Sequence, residues 1–180
     1  MSSAKIVLAP MSLEGVFSDI RLVGEIFGDT EKANALLSSL KNRMSDVTNR
    51  TQAWGVNKTK VYLELDSYGG YWTFGPGSFG GELLVLAGGA NIAGSVSEKY
   101  PALTSEFVVA SDPSVIVYAV NPWVSTTADT IKDRAGWAGI DAVKYDKIFS
   151  IDDNLVSRPG PRLIDGLEAL AEILHPELFP

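Results

Sequence analysis

The chain has 180 residues, 46% hydrophobic and 21% charged, with a net charge of −7, no cysteine and one histidine. That is enough for one core of ordinary size or a domain with an appended piece, and the negative charge argues against nucleic acid as a partner. The missing thiols exclude disulfides, thiolate metal sites and cysteine nucleophiles, the lone His175 removes most hydrolase triads, and no run reaches the eighteen or so apolar residues of a membrane span.

Lys5 to Ala9 is a short β-like run closed by Pro10, and the segment up to Pro10 is too short for a signal peptide. Ser12 is placed to cap a helix in which Leu13, Val16, Phe17, Ile20, Val23 and Phe27 recur at three and four, ended by Gly28. Ala33, Leu36, Leu37, Leu40, Met44 and Val47 draw a second helical stripe to about Asn49. Beyond a polar stretch the pattern alternates. Strands are expected at Val61 to Leu65, Ser114 to Val120 and Lys147 to Ile151. Helices are expected around Glu82 to Ala87, Thr104 to Ala110, Thr127 to Arg134 and Pro161 to Leu174, with Pro161 as the first helical residue. Short strands separated by helices predict a three-layer α/β lobe, its mainly parallel central sheet carrying helices on both faces.

Ligands of such sheets bind at the carboxyl ends of the strands. The segment after Leu65 sets Tyr71, Trp72, Phe74 and Phe79 among glycines, where water would expel the rings unless something covers them. Tyr71, Trp72 and Phe74 are therefore candidate ligand contacts, the alternative being that they fold back onto the lobe. Trp123, just past the strand ending at Val120, takes the corresponding place one crossover later. Arg162 should pair with Asp152 or Asp153, because a cation is disfavoured at a helix N-terminus, which leaves Arg158 as the better partner for an anionic ligand group. Glu106 fits helix capping at the turn opened by Thr104, and His175 reads as a helix C-terminal cation. Gly75, Gly77 and Gly80 match G-x-G-x-x-G in form, but about eight residues separate them from the strand and Pro76 removes a donor, both against a dinucleotide cradle. No paired carboxylates with a plausible base and no nucleophile with a base can be assembled; Tyr68 or Tyr71 is a conceivable iron ligand, but no histidine or cysteine lies nearby to complete a site.

With GPGSFGGELLVLAGGANIAG, YPALTSEFVVASDPSVIVYA and SRPGPRLIDGLEALAEILHPELF in this order, the sequence resembles the substrate-binding proteins of ABC importers for iron chelates and cobalamin. The resemblance, which also takes in SLEGVFSDIRLVGEIFG, implies two α/β lobes joined by a long helix, with ligand held in the cleft between them. It divides this chain into residues 1–28 as a remnant of the first lobe, 29–58 as the inter-lobe helix and linker, and 59–180 as the C-terminal ligand-binding lobe. It implies a non-enzymatic, extracytoplasmic protein without a cofactor of its own, whose cargo is an iron chelate, haem or a cobalamin. Tyr71, Trp72, Phe74, Trp123 and Arg158 would line the cleft, and Glu106 matches a glutamate that docks on the ABC transporter permease. The apolar face of Leu13, Val16, Phe17, Ile20 and Val23 would then lie against a lobe outside this chain, which predicts self-association through the N-terminal segment. The alternatives are a nucleotide- or sugar-phosphate-binding α/β enzyme using the Gly75 to Gly80 loop, and a structural module acting as a dimer.

Overall fold

The computed structural model describes residues 12–53, 58–123 and 125–179, so the strand expected at Lys5 to Ala9 lies outside the described residues. The chain opens with α1 (Leu13–Phe27) and α2 (Thr30–Ala53). Ser12 caps α1 as expected, its hydroxyl accepting the Gly15 N–H, and Gly28 ends the helix at φ 71°. There follow β1 (Thr59–Asp66), β2 (Tyr71–Thr73), α3 (Phe79–Leu86), β3 (Gly89–Asn91), β4 (Ala102–Leu103), α4 (Ser105–Ser111) and β5 (Val115–Val120). The last part comprises α5 (Ala128–Lys132), a 3₁₀ turn (Trp137–Gly139), α6 (Asp141–Lys144), β6 (Ile148–Asp152), α7 (Asp153–Val156) and α8 (Leu163–Leu174).

The strands form one sheet in the order β4-β2-β1-β5-β6, with β3 also paired to β1. β3, β5 and β6 make parallel pairings, while β2 and β4 are antiparallel additions of three and two residues. Alternation along the strands sends side chains to two separate cores. Val61, Leu63, Val115 and Val117 pack with residues of α3, α7 and α8. Tyr62 and Ile116 face the opposite way, onto Val108, Ile131, Trp137 and Ile140. The expected α/β lobe with helices on both faces is what forms.

α8 buries Leu163, Ile164, Leu167, Leu170, Ala171 and Leu174, the larger of them worth about 1.5–3 kcal/mol each. It starts two residues later than expected: the Leu163 N–H donates to Gly160 O and the Ile164 N–H to Pro161 O, so Pro161 belongs to the tight turn leading in. His175, at its far end, is buried, with Nε2 3.4 Å from Gly88 O and Nδ1 3.5 Å from Glu177.

The N-terminal helices correct the expected burial. Leu13 and Val16 enter the core that α8 covers, Phe17 packs with Leu37, Leu40 and Ile164, and the Leu13 N–H donates to Glu82 Oε2 at 2.9 Å. α2 is clamped to α8 by Arg43, which donates from Nε to Glu168 (2.8 Å) and from a terminal nitrogen to Asp165 (2.7 Å). The start of the α1 stripe therefore lies against this chain's own lobe. What α1 leaves exposed is its other end, Leu22, Val23, Ile26 and Phe27, beside Leu36 of α2.

Candidate functional site

Because β1, β5 and β6 are neighbours, their carboxyl ends deliver three segments side by side within about 10 Å, at the usual strand spacing of about 4.8 Å. After β1, Asp66 Oδ1 accepts the N–H groups of Ser67 (2.7 Å) and Tyr68 (3.0 Å), and the chain reverses through Gly69 at φ 68° into β2. Trp72 donates its indole N–H to Tyr68 O at 3.0 Å, which lays the ring along the turn with 40% of its surface in solvent. Tyr68 is 87% exposed at the tip.

After β5, Asn121 Oδ1 accepts the Trp123 N–H at 2.9 Å, and Trp123 is 92% exposed. After β6, Asp152 Oδ1 caps α7 by accepting the N–H of Asn154 (3.0 Å), and Asn154 Oδ1 accepts Nε of Arg158 at 2.5 Å. The Asn154 backbone N–H, and then its side-chain amide at 2.8 Å, hold the Asp152 carboxyl below the usual carboxylate range. Arg162 finds the expected partner, 3.5 Å from Asp152, and also lies 3.8 Å from Asp165. Trp72, Trp123 and Arg158 thus stand exposed along one rim.

Tyr71 is half-buried, its ring centroid 5.0 Å from that of Trp137. Phe74 corrects its expected role as a cleft wall. It has no solvent exposure and packs 6.2 Å from Phe79 and 5.9 Å from Tyr100. Alternation gives Tyr71 and Thr73 one face of β2 and Trp72 the other; Phe74, one residue past the strand on Trp72's side, is covered there by α3 and packs in the core with Leu63, Phe79 and Leu83.

The glycines next to it follow from that packing. A Cβ on Gly80 would meet the Phe74 ring at 2.4 Å, and one on Gly75 would meet Glu98 O at 1.9 Å. Gly80 makes room for the Phe74 ring, Gly75 for the Glu98 carbonyl, and Gly77 turns at φ 71°, so each glycine of the G-x-G-x-x-G pattern has a packing or backbone reason.

Beneath the rim lies a cluster that sequence reasoning missed. Glu64 of β1, 1% exposed, takes two hydrogen bonds from Arg134, at 2.5 and 2.7 Å. The guanidinium carbon sits 4.8 Å from the Tyr71 ring centroid and 4.6 Å from that of Trp137, and Trp137 donates its indole N–H to Ser105 Oγ at 2.8 Å. Burial, the largest single effect, works against the Arg134 charge, but its hydrogen bonds to Glu64 and the charge of that carboxylate together outweigh it and the pKa is raised. Thr126, in the segment after Trp123, donates to Glu64 Oε1 at 3.3 Å and stands 3.4 Å from Ser67 Oγ. Tyr62 Oη is buried with no hydrogen-bond partner among the described residues. Burial, and then the Glu64 charge, push its pKa well above the usual tyrosine range.

Glu106 is exposed in the first turn of α4, which Thr104 caps by accepting the Phe107 N–H at 3.2 Å. Its own backbone N–H and the Thr104 hydroxyl hold its carboxyl below the usual range.

Residues 2–155 match the model of the periplasmic binding protein family. The chain belongs to that family. It is 31% identical over 169 residues to an uncharacterized ABC transporter substrate-binding lipoprotein of Bacillus subtilis, YvrC, covering 93% of this chain and 52% of that one. A cobalamin-binding protein of Halobacterium salinarum is 25% identical over 171 residues, covering 93% of this chain and 46% of its own. Among solved structures, an ABC-type Fe3+-hydroxamate transport system of Saccharomonospora viridis superposes with a TM-score of 0.77 at 25% identity, covering 92% of this chain and 57% of the other. The chain therefore spans about half the length of the curated relatives it matches. Among the described residues no helix is long and apolar enough to cross a membrane.

Proposed function

We propose that this chain is the C-terminal lobe, with its linking helix, of an ABC-importer substrate-binding protein working outside the cytoplasm. It captures an iron(III) chelate or a cobalamin-type ligand and hands it to a membrane permease without catalysing a reaction. In this reading residues 59–180 form the ligand-binding lobe, residues 29–58 the inter-lobe helix and linker, and residues 1–28 part of a first lobe. The observation that carries it is the rim: Trp72 and Trp123 stand exposed at the carboxyl ends of adjacent parallel strands, with Arg158 at the next strand's end. Exposed aromatic surface with one fixed cation suits a bulky, flat ligand bearing few charged groups. Tyr71 supports Trp72 from behind.

Glu106 would dock the permease. Its carboxylate stays ionised and fully exposed at a helix N-terminus, as a charge-assisted contact to an arginine on a partner requires. The apolar face of Leu22, Val23, Ile26, Phe27 and Leu36 is proposed to associate with a second copy of this chain when nothing else covers it. Phe27→Asp is expected to shift sedimentation at high micromolar concentration toward monomer; a wild-type chain already strictly monomeric there contradicts the association.

The test of ligand capture is tryptophan emission during titration with cyanocobalamin, haemin and a ferric hydroxamate. One of them is expected to quench saturably, and Trp123→Ala is expected to remove most of the quench without altering thermal unfolding. Absence of saturable quenching by all three in a folded sample contradicts the reading.

A further inference from the structure

A buried ion pair is a poor way to gain stability, because desolvating two charges costs about what their attraction returns and an apolar pair of equal volume often serves as well. Glu64 and Arg134 are nonetheless paired at 1% and 12% side-chain exposure, in a cluster otherwise built of Tyr62, Trp137 and apolar residues. What distinguishes the pair is where its remaining contacts go. Arg134 lies against the rings of Tyr71 and Trp137, and Tyr71 opens the strand that carries Trp72. Glu64 accepts from Thr126, three residues beyond Trp123, and Thr126 in turn meets Ser67 in the turn before Trp72. The two aromatic segments have no sequence connection shorter than about fifty residues, yet both converge on this one pair.

We propose that Glu64 and Arg134 are positioning residues for the rim: the guanidinium seats Tyr71 from below, the carboxylate anchors the Trp123 segment through Thr126, and together they set Trp72 and Trp123 in register as two halves of one surface. The fork geometry matters here. A bidentate Arg–carboxylate pair fixes both planes at once, and the planar guanidinium can lie along an aromatic face while so bound, which a lysine ammonium does not reproduce. An apolar pair would fill the same volume and leave both segments free to turn. The inference rests on the reading of the rim as a ligand wall, but the register itself can be observed without ligand.

The experiment uses the full chain labelled with 5-fluorotryptophan, with fluorine resonances assigned by single Trp→Phe variants and thermal unfolding followed in parallel. The double variant Glu64→Gln with Arg134→Met removes both charges together, so no buried charge is left alone. It is expected to unfold cooperatively while the Trp72 and Trp123 resonances shift and broaden. Its affinity for cyanocobalamin, the corrinoid probe, is expected to fall roughly tenfold, the order of loss seen when supporting contacts behind a binding site are removed. A folded double variant with unmoved Trp72 and Trp123 resonances overturns the proposal. If the double variant does not fold, Arg134→Lys decides on the same resonances: moved signals support it, unmoved ones overturn it. If the wild-type chain binds no probe, the ligand-wall reading fails while the fluorine spectra still settle the positioning role.

Discussion

The two aromatic segments of the rim are built in opposite ways. Trp72 is held from several sides: its indole is bonded to Tyr68 O, its strand pairs with β1 and β4, and its neighbour Tyr71 is seated on Trp137 and Arg134. Among the described residues Trp123 makes one side-chain bond, from Asn121 to its backbone, and its segment is tied down again only at Thr126, with nearly all of the ring in water. The first segment is a fixed surface paid for by packing, whereas the second is an exposed ring on a short tether. Order on one side with exposure on the other suits a wall that receives a ligand and a paddle that settles onto it.

The contrast can be broken most severely from beneath. Glu64→Ala leaves Arg134 buried and unpaired and is expected to lower stability by about 3–5 kcal/mol, measured by urea denaturation. Phe74→Ala should cost a similar amount, about 3–5 kcal/mol, because that ring lies in the core and not on the rim; a loss below about 1 kcal/mol would return Phe74 to the surface. Trp72→Ala removes one hydrogen bond and a partly covered ring, so a loss of about 1–2 kcal/mol is expected. Trp123→Ala should change stability by no more than about 0.5 kcal/mol. An equal cost for the two tryptophans would erase the distinction.

Two pH effects sharpen it further. Tyr62 is an acid whose pKa is raised in the folded state, so its contribution is intact below the ordinary tyrosine value near 10 and declines as the pH climbs beyond it, when the unfolded chain ionises first. Tyr62→Phe removes a buried unpartnered hydroxyl and should flatten that alkaline decline. Asp152 has the opposite sign. Its lowered pKa gives a contribution present above about 4, lost as the pH falls through the folded value, so acid should loosen α7 and Arg158 before the Trp72 side of the rim responds. Amide exchange at Asn154 and Trp72 as a function of pH reads this directly.

How far the sequence carried can be judged from the same residues. α1, α2, β5, β6 and α8 were legible because each repeats its period over several turns or pleats and is bounded by a cap, a glycine or a proline. β2 and β4 were not, since three and two residues cannot display an alternation; and because Trp72 and Phe74 fall on the same side, only the packing of α3 over Phe74 separates the exposed ring from the buried one. That Trp72, Trp123 and Arg158 follow the carboxyl ends of their strands was legible from the alternation of strands and helices, whereas the order that makes those strands neighbours was not. Glu64 did leave a trace: alternation with Tyr62 in VYLELD places a carboxylate on a buried face, and a charge there demands a partner. That Arg134, seventy residues away, supplies it depends on tertiary packing that no local pattern encodes.

The central claim is that the exposed rings at the strand ends form one ligand-facing surface. It is tested most directly by recording the indole N–H resonances during titration with diamagnetic probes, cyanocobalamin and the gallium(III) forms of a hydroxamate chelate and of a porphyrin. The account predicts that one probe moves Trp72 and Trp123 together along a single saturation curve while Trp137, beneath them, responds weakly. Shifts confined to the α1–α2 face around Phe27, or none at Trp72 and Trp123 with any probe, would contradict it.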